Sequence, residues 1–195
     1  VSAVEARRVE PMSVMRRRIA DHMVRSRRTS AHAHTVFDVD FSRVTQLRAE
    51  KAVAYKQAGT QLTYLTFIAK AVIDAISQMP VINASVDKTG EHVVYKRDVN
   101  LGVAIALDWG LVVPVIHRAA ELSLPDLSAA FIDLASRARA KQLRPEDVQD
   151  GTFTITNPGV FGSIFGMPII NQPQAAILCV GAIEKRPVVV DDAIA

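Results

Sequence analysis

Among the groups in this sequence that could do acid–base, nucleophilic or ligand-binding chemistry are five histidines and one cysteine, and one threonine stands directly before a glycine-spaced loop. The threonine is Thr156, the last residue of the alternating stretch Phe153-Thr154-Ile155-Thr156, whose side chains should point to opposite faces in turn. Asn157-Pro158-Gly159 breaks that strand, because proline fixes one φ and glycine permits a positive one. Gly159, Gly162 and Gly166 then interleave with Val160, Phe161, Ile164, Phe165 and Met167. Such a loop can bring its backbone close to a ligand or a neighbouring chain, since glycine has no Cβ in the way. The plain alternative is two core strands joined by an ordered loop. Cys179 lies inside the apolar run Ala175 to Ile183, and apolar surroundings raise a thiol's pKa and leave it inert. His32 and His34 could share a strand face, but a zinc site needs three or four protein ligands, so no metal is expected.

The elements that must position these groups follow from periodicity. Met12, Met15, Ile19 and Met23 recur at helical spacing behind a possible Ser13 cap, with Arg16 in the first turns. His34 to Phe41 alternates as a half-buried strand, and Ser42 could cap a second helix through about Ala58, with Val44 and Leu47 on its buried side. Thr63 caps a third helix carrying Leu65, Ile68, Ala69, Val72, Ile76 and Met79, which Pro80 stops. Val81 to Val86 and His92 to Tyr95 flank the turn Asp87-Lys88-Thr89-Gly90, and Val99 to Leu107 and Leu111 to Ile116 flank Asp108-Trp109-Gly110. Ser123 and Pro125 open a helix with Leu127, Phe131, Leu134 and Ala138 on one face. Arg144 to Asp150 reads as a polar loop. The sum is α+β, a mostly antiparallel or mixed sheet covered by helices.

With 195 residues the chain is one domain, long enough to bury a core, preceded by an arm or linker over residues 1 to 11. Apolar residues at 49% and charged residues at 22% describe a globular protein. A formal charge of only +3 is weak support for a polyanion partner, and no nucleic acid is expected. The arginines clustered between Arg7 and Arg28 read as a solvated helix face, or as a contact for an acidic cofactor tail or partner domain. No apolar run approaches the roughly 20 residues of a membrane span, so no membrane partner is expected. A single cysteine fits a reducing compartment.

FTITNPGVFGS (Phe153 to Ser163) followed by PIINQPQAAIL (Pro168 to Leu178) resembles the catalytic core of dihydrolipoamide acyltransferases, the central components of 2-oxo acid dehydrogenase complexes. Further landmarks of that family are MSVMRRRIADHM (Met12 to Met23), FDVDFS (Phe37 to Ser42), NLGVAIAL (Asn100 to Leu107) and GLVVPVI (Gly110 to Ile116). The resemblance implies a chloramphenicol acetyltransferase-like fold and a homotrimer with active sites between neighbours, building into a larger shell. It implies transfer of an acyl group from a dihydrolipoyl thioester to coenzyme A, with the lipoyl group supplied by a separate lipoyl domain. The implied partners also include the 2-oxo acid dehydrogenase and dihydrolipoamide dehydrogenase components. The implied location is the bacterial cytoplasm, or the mitochondrial matrix in a eukaryote. TITNPGVFGS leans toward succinyl transfer, with branched-chain and acetyl versions close.

By the same resemblance Thr156 takes the oxyanion role, although the residues alone allow an ordinary strand threonine. Arg16 matches a family arginine that pairs with the aspartate of a D-H-R-x-x-D-G motif. Asn157, Gly159, Phe161, Gly162 and Met167, with Val113 and Pro114, would line the substrate and coenzyme A channel. The motif histidine is the family's base, and none of His22, His32, His34, His92 or His117 stands in that setting. Residues 12–195 are therefore expected to be an acyltransferase domain lacking its catalytic-histidine segment. His117 reads as a structural histidine rather than a substitute base, and His32 follows Ala31 where the family has proline. The alternative is a non-catalytic relative that keeps only the assembly role.

Overall fold

The computed structural model describes residues 9–190 and 192–194, so most of the arm expected over residues 1 to 11 lies outside the described residues. Three long helices come first: α1 (Val14–Thr29), α2 (Ser42–Gln57) and α3 (Tyr64–Gln78). Six short strands follow: β1 (Ala84–Val86), β2 (Val93–Tyr95), β3 (Leu101–Val103), β4 (Ile105–Leu107), β5 (Gly110–Val112) and β6 (Val115–Ile116). After α4 (Leu124–Arg139) come β7 (Phe153–Thr156), β8 (Ile177–Cys179), β9 (Val189–Val190) and β10 (Ala193–Ile194). The fold is α+β.

The centre is a four-stranded mixed sheet in the order β6-β3-β7-β8. β3 and β6 are antiparallel, whereas β3 with β7 and β7 with β8 are parallel. Antiparallel pairing otherwise belongs to the three two-stranded ribbons β1–β2, β4–β5 and β9–β10. One face of the sheet carries Leu101, Val103, Phe153 and Ile155 into a core with Ala69, Ile73 and Ile76 of α3 and Leu127, Phe131 and Leu134 of α4. Those helices start where the sequence says they should. The Thr63 hydroxyl accepts from the Thr66 amide at 3.3 Å, and Ser123 caps Asp126 at the same distance.

Several expectations are corrected. His34 to Phe41 forms no strand and pairs with none among the described residues, and Val36, Phe37 and Val39 are exposed. Alternation signals a strand only where a partner lies alongside. Ser42 is not a cap. It is the first residue of α2, and the Asp40 carboxylate accepts its amide at 2.8 Å instead. Val44 and Leu47 of that helix are only half-buried. Pro80 starts a 3-10 turn over Pro80–Asn83, which leaves only β1 of the strand expected from Val81. The stretch Val99 to Leu107 splits at Ala104, whose amide bonds to Ile155 O at 2.9 Å while β4 turns away to pair with β5. Arg144 to Asp150 contains a 3-10 turn, Pro145–Val148, organised by the buried Asp147. The apolar stripe of α1 faces outward: Met12, Met15 and Ile19 are exposed, and the helix buries only Ser26 fully.

Candidate functional site

Thr156 ends β7, the strand at the middle of the sheet, where it pairs with Cys179 of β8 and its carbonyl accepts the Val180 amide at 2.8 Å. It shares a sheet face with Thr154, the face turned away from α3 and α4, because side chains alternate along a strand. Thr154 is buried there and donates its hydroxyl to Gln174 Oε1 at 2.7 Å. Thr156 is half-buried, and its hydroxyl makes no hydrogen bond among the described residues. A rigidly held hydroxyl is thus left over for something else.

Everything around that hydroxyl is fixed by the turn that follows. Asn157 leads into a 3-10 turn, Pro158–Phe161, which closes on Gly162 in the left-handed region (φ 84°) with its amide bonded to Gly159 O at 3.0 Å. The Gly159 amide bonds to Val180 O at 3.2 Å, and the Ala182 amide to Ser163 O at 2.8 Å. A Cβ on Gly159 would fall on the backbone of Gly181, and one on Gly181 would fall on Ile164 O. The two glycines let the loop and the continuation of β8 touch backbone to backbone. This explains why the apolar run from Ala175 to Ile183 is a strand for only three residues: the Val180 amide still bonds to Thr156 O, but the Val180 carbonyl and the Ala182 amide serve the loop.

The loop then folds back over the sheet. Gly166 sits on Cys179, whose Sγ would lie 2.9 Å from an added Cβ, and burial raises the pKa of that thiol. The stretch Val160 to Met167 turns its side chains outward, with Val160, Phe161 and Ile164 70, 75 and 71% exposed. The far end of the loop is held by α1 and the residues after it. Ser26 donates to Ile170 O at 2.5 Å, Gln172 donates to Ser30 Oγ at 2.6 Å, and His32 and His22 bond to Ile170 and Asn171.

The structure therefore brings Thr156, Asn157, Gly159 and Gly162 together, with Phe161 and Met167 on the exposed outside of the same loop. Val113 and Pro114 belong to the other side of β3: they precede β6, and β3 stands between β6 and β7. Val113 packs against Gly102, and Pro114 is buried with its carbonyl accepting the Val103 amide at 2.9 Å. Of GLVVPVI, only Leu111 has its side chain mainly in solvent. Arg16 is exposed in the first turn of α1, its amide on the Ser13 hydroxyl at 3.3 Å.

Two cavities lie elsewhere and neither is lined by Thr156. One, of about 520 Å³, is apolar and includes Met15, Trp109 and Val112. The other, of about 560 Å³, is polar and lies by the start of β7, with Asn100, Thr152 and His22 in its wall. Four of the five histidines are committed to partners: His22 to Asn171, His32 to Ile170, His92 to Asp87 at 2.9 Å, and His117 to Glu146 O at 3.2 Å. His34 is exposed beside His32, their rings 6.2 Å apart, and no group of three or more His, Cys, Asp or Glu could hold a metal among the described residues. No described helix is long and apolar enough to cross a membrane.

A mixed α+β domain with a half-buried hydroxyl before an interlocked glycine loop defines the class. Residues 4–195 match the family described as 2-oxoacid dehydrogenases acyltransferase (catalytic domain), and the chain belongs to that family. It is 40% identical over 191 residues to the dihydrolipoyllysine-residue succinyltransferase component of the mitochondrial 2-oxoglutarate dehydrogenase complex of Sus scrofa, covering 97% of this chain and 42% of that protein. It is 43% identical over 164 residues to the dihydrolipoyllysine-residue acetyltransferase component of the pyruvate dehydrogenase complex of Corynebacterium glutamicum, covering 84% of this chain and 24% of that protein. Its structure resembles the cubic core of the pyruvate dehydrogenase multienzyme complex with a TM-score of 0.92 at 30% identity, covering 100% of this chain and 82% of that one. The chain thus spans less than half the length of the curated relatives it matches.

Proposed function

We propose that this domain transfers an acyl group from S-acyl-dihydrolipoyl-lysine to coenzyme A, as part of the core of a 2-oxo acid dehydrogenase complex. The observation that carries the reading is the unpartnered Thr156 hydroxyl on backbone locked by the Gly159–Gly181 contact. A thiol with an ordinary pKa of about 8.5 must lose its proton as it attacks a thioester carbonyl. The new C–S bond to coenzyme A forms while the carbonyl oxygen takes the negative charge. The old C–S bond then breaks, and the proton passes to the departing dihydrolipoyl sulfur. Thr156 donates its hydroxyl to the charged oxygen, and because the turn already holds it, it gains strength there without reorganising.

With four histidines engaged in structural bonds, we place the imidazole base in a D-H-R-x-x-D-G segment outside these 195 residues, with Arg16 pairing its aspartate. Asn157, Gly159, Phe161, Gly162 and Met167 line the channel for the two thiols. Val113, half-buried, would line it in a homotrimer with the chloramphenicol acetyltransferase-like fold, whereas Pro114 is fully buried against β3 and drops out of the lining. The lipoyl group arrives on a separate domain, the 2-oxo acid dehydrogenase and dihydrolipoamide dehydrogenase components are the partners, and the location is cytoplasmic or the mitochondrial matrix. Succinyl is the favoured acyl group on the run TITNPGVFGS, although relatives of both the succinyl and acetyl kind are similar.

The test is acyl-coenzyme A formation from succinyl- and acetyl-dihydrolipoamide, by this chain and by a longer parent that contains the histidine motif. The parent should turn over, with succinyl preferred, and the 195-residue chain should not. Comparable rates would place the base within these residues. An inactive parent would favour a scaffold role.

A further inference from the structure

Two histidines hold the loop that returns from the candidate site to β8, and their hydrogen bonds fix their protonation. His32 Nδ1 lies 2.8 Å from Ser30 O, and a carbonyl can only accept, so Nδ1 carries the proton. His32 Nε2 lies 3.0 Å from the amide of Ile170, and an amide can only donate, so Nε2 is bare. His22 is neutral in the opposite tautomer. Its Nδ1 accepts from Arg25 Nη2 at 3.2 Å, and its Nε2 donates to Asn171 Oδ1 at 3.0 Å. The two peptides that flank the Ile170 Cα are thereby both held, the Ile170 N–H by His32 and its carbonyl by the fully buried Ser26. No apolar side chain of α1 is fully buried, so polar bonds carry much of the docking of α1 on the loop.

We propose that His32, as the neutral Nδ1–H tautomer, is a positioning residue for acyl transfer, fixing the far end of the Thr156 loop to α1 in a proton-dependent way. This rests on the acyl-transfer reading for its effect on turnover, and on the hydrogen-bond geometry for its effect on the loop. The loop has two anchors, the Gly159–Gly181 contact near Thr156 and the Ile170 grip beyond Met167. Protonating His32 sets a donor against the donor N–H of Ile170 and removes one bond of the second anchor, leaving those of Ser26, Gln172 and His22. The exposed span from Val160 to Met167 is then held less tightly at that end. The His34 ring stands 6.2 Å from that of His32. His22 faces Arg25 on its own helix, and Lys96, Arg97, Asp98 and Asp150 across the polar cavity. Its protonation forfeits the Arg25 bond but keeps the one to Asn171. The neutral form of His32 holds the loop, so the grip is present at high pH and is lost as pH falls.

Amide hydrogen exchange of the segment around Ile170, corrected for the chemical rate, tests this at about pH 8 and about pH 5.5, the two ends of the imidazole range. Protection in the wild-type chain should fall about tenfold on acidification, the worth of roughly one hydrogen bond. His32→Gln presents an amide oxygen that accepts from Ile170 and does not titrate, so its protection should hold at both values. In the full-length protein, the ratio of wild-type to His32→Gln kcat should fall about tenfold over the same range, while KM changes little; the ratio cancels the titration of the catalytic base. Wild-type protection that ignores pH overturns the proposal without any variant, and so does a kcat ratio that stays constant. A pH-dependent grip in a wild-type protein that transfers no acyl group supports the latch and defeats the acyl-transfer reading alone.

Discussion

Thr156 is one hydroxyl among many on this chain, and its distinction is where its backbone is held. Thr156→Ala in the full-length protein should lower kcat on the order of 100-fold, about 3 kcal/mol, with much less change in the apparent affinity for either thiol. Thr156→Ser keeps the hydroxyl and should keep most of the activity. A Thr156→Ala enzyme that turned over normally with its fold intact would make the residue an ordinary strand threonine. Gly181 offers a test of the interlock. A methyl there meets Ile164 O, so Gly181→Ala should destabilise the fold by about 1–3 kcal/mol or displace the loop, read from denaturant unfolding. At this scale the sequence was readable where chemistry is local, as in the turn after Thr156. It was silent on His32, whose partner Ile170 is 138 residues away, and on Gly181, whose meaning exists only against Gly159.

Elements were legible where an apolar stripe meets a core. α3 and α4 begin at their serine or threonine caps and bury most of the faces their spacing indicates, although Met79, expected on the α3 stripe, lies just past the helix and is exposed. α1 shows the same period and buries none of it fully, because its docking is polar. A hydrophobic period says that a face could be covered, without saying by what. The 3-10 turn after α4 is held by the buried Asp147, which accepts from Arg137 and from the Arg144 amide, and these bonds lower its pKa to about 2. A carboxyl held below its unfolded value of about 3.9 stabilises the fold above that value and loses the contribution as pH falls toward about 2. Asp147→Asn should therefore lower the melting temperature near neutral pH, with the gap from wild type closing between about pH 4 and pH 2. A gap that persists through that window would assign the loss to packing.

Across the whole molecule, outward apolar side chains gather on the Val160 to Met167 loop and at Val36, Phe37 and Val39. Sedimentation at micromolar concentration should show an assembly larger than a monomer, and Phe161→Asp should shift it toward smaller species. A clean wild-type monomer would count against the trimer. The sheet that supports this loop has a further consequence, for biosynthesis. Its central pair joins β3 to β7 across more than fifty residues, the separation of the Asn100 to Thr152 bond beside it. Local helices form in about a microsecond, but a parallel pairing must wait until both strands exist. At ordinary translation speeds of roughly 5–20 residues per second, α3 and β3 spend several seconds outside the ribosome with their apolar faces unmatched. Until Phe153 and Ile155 arrive beside β3 to complete the core, the nascent chain is the form of this protein most exposed to aggregation and to chaperones.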